Sequence, residues 1–458
     1  MATFHETPSG GTQVFLKGAP ETILDFCSSI RLDGEVVELT QEQREAVLQT
    51  NKEMAKQALR VLGVAYQEID REKVEQIKDN ISEDQGELVF AGLFGMIDPP
   101  REEVFEAIER CKRAGIRVIM ATGDHQTTGE AIARKVGILE EGQKVLTGLE
   151  LDHLSDEELD QEIQKTAVFA RVSPAHKQRI VASLQRHGEV VAMTGDGVND
   201  APALKAAEIG VAMGITGTDV TKETADMVLT DDNFASIVNA AEEGRVVFQN
   251  VRKVVNFLIS TNAGEILTIL GAIFLLPVGQ LIFTPVQVLW VNLVTDGLLD
   301  ITIALEPKEG DVMNEPPRRS QARIINRSML LVVLFVAIIM AAGTLGVYLS
   351  VQNSVNAERA QTMAFITIAM FQVFNSFNVR SLNKSIFQIG VFSNKYLIGA
   401  IIVSVSLLYL ATVVPFMQVA LSTVPLRTGD WGLITLVSSS ILILGELRKL
   451  VWRRMNKS

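Results

Sequence analysis

The sequence predicts a protein built in two styles: an α/β part organised on a parallel sheet, followed by an all-α bundle of six membrane-crossing helices. Three observations predict it. The 458 residues carry a formal net charge of −12 and a positive mean hydropathy of +0.23, but that average hides a split. Charged and apolar residues are mixed up to about Arg252, and long apolar stretches dominate from Val254 onward. Within residues 100–250, amphipathic helical patterns alternate with short apolar runs, the signature of strands joined by crossover helices. The polar motifs TGD, RVSP and TGDGVND each follow directly on such a run, at strand carboxyl ends, where open α/β sheets place their sites.

Composition narrows the function classes. The acidic balance and the lack of a basic patch interleaved with aromatics argue against a nucleic-acid partner. Cys27 and Cys111 are far apart and form neither a metal-ligand spacing nor a disulfide framework, which suits a reducing, cytosolic setting for the soluble part. The opening residues MATFHETPSGG are polar and do not read as a signal peptide.

In the soluble part, REEVFEAIERCKRAG, QTTGEAIARKVG and SPAHKQRIVASLQRHG read as helices, and IRVIMA, KTAVFA, EVVAM and EIGVAMG as strands. The loops after the strands suit a phosphate and a divalent metal. Thr122 and Gly123 offer a hydroxyl and a backbone N–H to phosphate oxygens, and Lys177, near a helix start, can neutralise phosphoryl charge. Asp196 can hold Mg²⁺, which takes one or two carboxylates and keeps several waters, with Asn199 and Asp200 orienting that shell. Gly195 and Gly197 permit close backbone approach. A lone TGD is more often a strand-to-helix turn with an N-cap Asp, so the weight rests on three strand ends converging.

The membrane part offers six spans, near Val254–Leu276, Phe283–Leu305, Met329–Ser350, Gln361–Phe377, Tyr396–Phe416 and Trp431–Val451. The second and fourth are the most polar. Lys and Arg concentrate in 306–327, in 379–395 and in the tail ELRKLVWRRMNKS, which puts these segments and the soluble part on the cytosolic side. Two spans carry polar groups: Asn262 and Glu265 in the first, and Asn292, Thr295, Asp296 and Asp300 in the second. Asn292, Thr295 and Asp296 share one α-helical face, and carboxylates with neutral oxygens are what a dehydrated hard cation requires. The plainer alternative is a hydrogen-bonded face that only joins helices. Asp300 can face either way and is left outside the candidate set.

Taken together, KGAPE (Lys17–Glu21), DPPR (Asp98–Arg101), MATGD (Met120–Asp124), SPAHK (Ser173–Lys177) and MTGDGVNDAPALKAAEIGVAMG (Met193–Gly214) resemble the P-type ATPases. STNAGE (Ser260–Glu265) and LWVNLVTDG (Leu289–Gly297) resemble the calcium-pump branch of the type II cation pumps. The resemblance runs in order over nearly the whole chain. It implies a partial nucleotide-binding domain over 1–95, a haloacid-dehalogenase-like, Rossmann-like phosphorylation domain over 96–250, and the transmembrane domain over 251–458. It implies ATP and Mg²⁺ as cofactors, a transported cation with Ca²⁺ foremost over Mn²⁺, Na⁺ or protons, and contact with membrane lipid. Lys17 resembles the lysine of the adenine pocket, Arg60 an arginine on the nucleotide phosphates, and Asp98 the hinge between the two soluble domains. Thr122, Gly123 and Asp124 match the loop beside the transferred phosphate, Arg171 and Lys177 the basic residues around it, and Asp196, Asn199 and Asp200 the Mg²⁺ site. Asn262, Glu265, Asn292, Thr295 and Asp296 match cation-coordinating positions.

The departures are as informative. The resemblance implies a phosphorylated aspartate in DKTGT, a TGES loop and a PEGL helix, all ahead of KGAPE, and none is present. The chain therefore reads as the C-terminal portion of a pump, with a missing N-terminal half as the expected partner and a phosphorylation-domain sheet that lacks its aspartate-bearing central strand. Ala369 in ITIAMFQVFNSFN stands where a further cation-binding glutamate is expected. Two other classes remain open: a membrane-tethered phosphatase of the haloacid-dehalogenase type, and a noncatalytic nucleotide- or cation-binding module. The first would also need the absent aspartate; the second needs no nucleophile.

Overall fold

The structure, a computed structural model, describes residues 1–7, 11–57, 59–69, 88–96, 99–318, 323–352 and 356–455, without the side chains of residues 56 and 60. Asp98 lies outside the described residues. The chain divides into two compact units, Met1–Val238 with Pro316–Ser320, and Asn239–Glu315 with Gln321–Ser458.

The first unit begins with β1 (Ala2–Glu6), β2 (Thr12–Gly18), β3 (Cys27–Leu32), β4 (Glu35–Glu38), β5 (Arg60–Ile69) and β6 (Leu88–Met96), in the sheet order β1-β2-β5-β6-β3-β4. All neighbours are antiparallel except β3 and β6. Local sequence explains its joints. Asp33-Gly34 both take positive φ (49° and 94°), which a two-residue hairpin turn matched to strand twist requires. Thr40 and Gln43 form a reciprocal capping box that starts the helix Gln41–Lys56. Val14 and Leu16 of β2 alternate inward, and Leu16 packs with Leu24, Ile30 and Phe90. Both cysteines are buried thiols, and burial, against a smaller opposing pull from Arg44, pushes Cys27 up to about 12.

The motif-bearing region forms two separate parallel sheets of three strands each. One comprises β7 (Met120–Thr122), β8 (Lys144–Thr147) and β9 (Thr166–Ala170) in the order β7-β9-β8. The other comprises β10 (Ala192–Gly195), β11 (Ile209–Met213) and β12 (Met227–Leu229) in the order β10-β11-β12. The parallel pairing and crossover helices Glu102–Arg113, Gln126–Lys135 and Pro174–Arg186 agree with the sequence pattern. β8 and β12 carry too few apolar residues to stand out in the sequence.

IRVIMA and EVVAM differ from expectation. Only Met120 onward is strand in the first and only Ala192 onward in the second. Each is the edge of its sheet, so among the described residues each has a hydrogen-bonded strand on one side only. All five residues of β9 are buried, whereas β7 is half-buried throughout and Val190, just ahead of β10, is 62% exposed. Apolar strands buried on both faces are the rule in parallel sheets, so β7 and β10 have the composition of interior strands and the surroundings of edges.

In the second unit, five helices are long and apolar enough to cross a membrane: Phe234–Leu275, Pro285–Ala304, Arg327–Gln352, Ala357–Val379 and Lys395–Val413. The expected count of six is therefore not reached by length and composition. The sixth expected span does lie in a helix, Thr428–Met455, but Glu446, Arg448 and Lys449 break its apolar run. Ala357–Val379 is the most buried of these helices and packs against Arg327–Gln352 and Thr428–Met455. That placement accounts for its polar sequence, because its Gln and Asn side chains meet protein on every side. Gly343 makes one of these contacts possible, since a Cβ there would sit 2.4 Å from the Phe371 ring.

The connecting segments are tied by a buried ion pair. Arg380, 1% exposed, donates from Nε to both carboxylate oxygens of Glu306 at 2.9 and 3.1 Å, and Asn394 Nδ2 donates to Glu306 Oε2 at 2.8 Å. Removing one partner strands a buried charge. Arg380→Ala is expected to cost about 3–5 kcal/mol, read as a lowered thermal unfolding midpoint of the full chain in detergent. In hydrogen exchange, the amides of 116–122 and 190–194 are expected to exchange faster than those of 166–170 and 210–213, because only the latter strands are paired on both sides. Equal protection would contradict the edge assignment.

Candidate functional site

Two groups of candidate residues can be built up, one in each unit. In the first unit the three motif loops are bonded to one another. Thr122, which ends β7, accepts at Oγ1 from Asp124 N at 3.1 Å and donates to Asp124 Oδ2 at 3.1 Å. The next loop closes against this turn, with Arg171 N donating to Asp124 O at 3.0 Å and Val172 N to Thr122 O at 3.2 Å. Arg171 takes φ 52°, an uncommon conformation for a side-chain-bearing residue. Gly123 has nothing within 4 Å of where a Cβ would lie, so its backbone is open to an incoming group.

Ser173 caps the helix Pro174–Arg186, and one turn in, Lys177 Nζ donates to Asp200 Oδ1 at 2.6 Å. Asp200 is buried, and its other oxygen, Oδ2, accepts from the backbone N–H of Asp196 and of Gly197, each at 3.3 Å. Gly195 allows this fold-back: a Cβ there would lie 2.4 Å from Asp200 Cβ. Around Gly197 the neighbours are at ordinary distances, so close approach rests on Gly195 alone. Asp196 and Asn199 are exposed, and the Asp196 carbonyl accepts from Thr218 N at 2.9 Å, which holds that loop while its carboxylate faces solvent. No group of three or more His, Cys, Asp or Glu side chains suited to a metal occurs among the described residues. One open carboxylate beside a second, lysine-bridged one fits Mg²⁺, whose shell is mostly water and substrate oxygen.

Asp232 was not foreseen in the sequence, hidden in the acidic run TDDN. Its carboxylate accepts from the backbone N–H of Gly214, Ile215 and Thr216 and from Thr216 Oγ1 at 2.6–3.0 Å, and so shapes the turn leaving β11. Burial opposes its ionisation, but these hydrogen bonds outweigh burial and hold the carboxyl at about 2. Lys17 lies exposed on β2 opposite Val64. Arg60 opens β5 opposite Met96, and its side chain is outside the described residues.

In the second unit the structure unites most of the intramembrane candidates. Asn292 Nδ2 donates to Glu265 Oε2 at 3.0 Å, and Thr261 Oγ1 donates to Asp296 Oδ2 at 3.2 Å. Glu265, Thr295 and Asp296 are all buried, and Thr295 Oγ1 and Asp296 Oδ1 have no hydrogen-bond partner. Asn262 stands apart, its Nδ2 bonded to Leu258 O of its own helix at 2.8 Å. The residues Val291–Asp296 form a π-helical stretch within Pro285–Ala304, so the wider turn replaces the expected α-helical spacing over the very residues proposed as ligands. Such insertions concentrate at functional sites, and no Gly or Pro inside VNLVTD announces this one. Gln372 was also missed: its Nε2 donates to Glu265 Oε1 at 2.9 Å from the helix Ala357–Val379.

Parallel strands carrying a lysine-bridged carboxylate loop are thus joined in one chain to helices apolar enough to cross a membrane that hold buried carboxylates. Comparison with known proteins agrees. The family description "Cation transporting ATPase, C-terminus" matches residues 280–451, "P-type ATPase, cytoplasmic domain N" matches 1–103, and "haloacid dehalogenase-like hydrolase" matches 175–240. The chain is 41% identical over 467 residues to calcium-transporting ATPase 1 of Bacillus cereus, covering 98% of this chain and 52% of that protein. It is 41% identical over 452 residues to a calcium-transporting ATPase of Bacillus subtilis, covering 98% and 50%. It is 37% identical over 460 residues to the human calcium-transporting ATPase type 2C member 1, covering 99% and 48%. The chain belongs to the P-type cation-transporting ATPases and spans about half the length of the curated relatives it matches.

Asp232 gives a pH test. Its folded carboxyl ionises at about 2 against an ordinary 3.8, so its contribution is complete above about pH 4 and is lost as pH falls through about 2. Asp232→Asn is therefore expected to lower stability at neutral pH, with the gap to the unsubstituted chain closing between about pH 4 and pH 2 in urea unfolding of the full chain.

Proposed function

We propose that this chain is the C-terminal portion of an ATP-driven cation pump that works through an aspartyl phosphate, with Ca²⁺ as the foremost cargo. The observation that carries this reading is the pair of carboxylates, Glu265 and Asp296, buried among oxygen-bearing partners inside apolar helices. A tethered phosphatase has no use for them, and intramembrane carboxylates are costly to keep; the calcium-transporting relatives favour a pump over a noncatalytic nucleotide- or cation-binding module. The three curated relatives compared above all bear calcium-transporting names, which favours Ca²⁺ over Mn²⁺, Na⁺ or protons.

In this reading residues 1–95 contribute to a nucleotide-binding domain through Lys17 and Arg60, residues 96–250 form the phosphorylation domain, and residues 251–458 form the transmembrane domain. Thr122 Oγ1 and the open backbone at Gly123 receive phosphoryl oxygens, and Asp124 and Arg171 hold that loop in shape. Asp196 and Asp200 hold Mg²⁺, assisted by Asn199; when bound, the metal neutralises charge on the transferred group. Lys177 sits between the phosphoryl pocket and Asp200, so it holds that carboxylate and adds positive charge beside the phosphate. The nucleophilic aspartate comes from a strand outside this sequence, seated between β7 and β10, the two edge strands whose carboxyl ends carry the TGD and GDGVND motifs. Thr428–Met455 serves as a sixth span, set deep enough for its charged end to reach the interface. The soluble domains, the basic loops and the C-terminus face the cytosol, following the Lys and Arg distribution.

The test is phosphoenzyme formation from labelled ATP. The chain alone is expected to give no acid-stable, hydroxylamine-sensitive product. Supplying a polypeptide that carries the DKTGT strand is expected to restore it, with the label on that polypeptide. Asp196→Asn is then expected to lower its formation about a hundredfold. Label on this chain alone would overturn the proposal.

A further inference from the structure

The helix Ala357–Val379 carries two amides that the cation reading does not yet use. Gln372 and Asn375 lie three residues apart, on one helical face, and both are fully buried. Gln372 Nε2 donates to Glu265 Oε1 at 2.9 Å, and Asn375 Nδ2 donates to Ser260 Oγ at 3.3 Å. Each amide is thus committed through its nitrogen, and the two oxygens, Gln372 Oε1 and Asn375 Oδ1, have no hydrogen-bond partner. The same holds for Thr295 Oγ1 and Asp296 Oδ1 on the neighbouring π-helical segment. Asp296 is linked in turn to Thr261, the residue after Ser260. Oxygens from two helices are therefore left without donors around the Ser260–Glu265 turn of a third.

An unsatisfied buried oxygen is expensive, and these four, one from the Asp296 carboxylate and three from neutral side chains, are accounted for by a hard cation, which takes only oxygen ligands. Ala369, one turn ahead of Gln372, brings no oxygen, so this helix contributes amides and no carboxylate of its own. We propose that Gln372 and Asn375 form an uncharged third wall of the cation site and coordinate a divalent cation through their amide oxygens. This rests on reading Glu265 and Asp296 as cation ligands. It assigns the Glu265–Gln372 hydrogen bond the task of turning the Gln372 oxygen toward the ion, because an ionised carboxylate fixes the amide nitrogen on its own side.

The experiment is equilibrium binding of radiolabelled Ca²⁺ to the purified full chain in lipid nanodiscs, with Mn²⁺ as competitor. Gln372→Leu keeps the volume and removes the oxygen, and is expected to weaken Ca²⁺ binding about tenfold or more. Gln372→Glu restores an oxygen and is expected to retain binding while changing the Ca²⁺/Mn²⁺ preference. Asn378→Ala removes a buried amide of the same helix whose oxygen also lacks a partner but whose nitrogen is bonded to Ile441 O rather than to the carboxylate-bearing helices, and is expected to leave affinity unchanged. If Glu265→Ala abolishes binding while Gln372→Leu matches the unsubstituted chain, the third wall falls and the cation site stands. Equal weakening by Gln372→Leu and Asn378→Ala reduces Gln372 to a structural role and overturns the proposal. Lack of saturable binding by the unsubstituted chain overturns the cation reading and this inference with it.

Discussion

An interior parallel strand needs a hydrogen-bonded neighbour on both sides, and β7 and β10 each have one. The arrangement of the phosphate-handling loops follows from that constraint. The TGD turn leaves β7 and the GDGVND loop leaves β10, so the two motifs stand at the carboxyl ends of strands whose open sides are unfilled. Lys177 reaches Asp200 from a crossover helix, and Arg171 and Val172 bond back to the TGD turn. The loops are therefore held in place by their own contacts even though the sheet is in two parts. The loops proposed to receive phosphate are braced by these contacts, and the proposed nucleophile would enter at the open sides of β7 and β10.

The membrane unit turns on a related constraint in a drier setting. Polar side chains inside apolar helices must find partners or a ligand. Glu265 finds two amide donors, Asp296 one hydroxyl, and Arg380 and Glu306 find each other between the connecting segments. Among the buried oxygens left without donors are Thr295 Oγ1 and Asp296 Oδ1 of the π-helical stretch and Gln372 Oε1 and Asn375 Oδ1 of the central helix. Both units thus hold rigidly placed acceptors for positive charge: Asp196 near the open β10 edge, and the buried oxygens around Glu265.

Much of this was legible in the sequence because it rests on local rules. Alternating helical and apolar patterns announced crossover-linked parallel strands, and apolar runs ending in TGD or TGDGVND announced strand ends. Asn262, Glu265, Asn292, Thr295 and Asp296 stood out as polar groups on two apolar spans, but the bond between Asn292 and Glu265 appears only in the structure. What was illegible depends on tertiary context. The shortened IRVIMA and EVVAM strands lie at the edges of their sheets among the described residues, a position that periodicity within a run cannot report. The π-helical turn lacks a Gly or Pro to mark it. Asp232 drew no reading from the sequence, because the three backbone N–H groups that converge on it come from residues 214–216. The fourth span looked weak because Gln372, Asn375 and Asn378 lower its hydropathy, when these residues mark it as the helix enclosed by others. The sixth span was counted from its apolar stretch, and the charges at 446–449 set it apart from the five helices that qualify by length and composition.

The central claim is that a strand belongs between β7 and β10. A cryo-EM structure of this chain together with a polypeptide that carries the proposed DKTGT strand tests it most directly. The account predicts one continuous parallel sheet in the order β8-β9-β7, new strand, β10-β11-β12, with an aspartate at the carboxyl end of the new strand beside Asp196 and Lys177. Direct hydrogen bonding of β7 to β10, or a new strand lodged elsewhere, would contradict it.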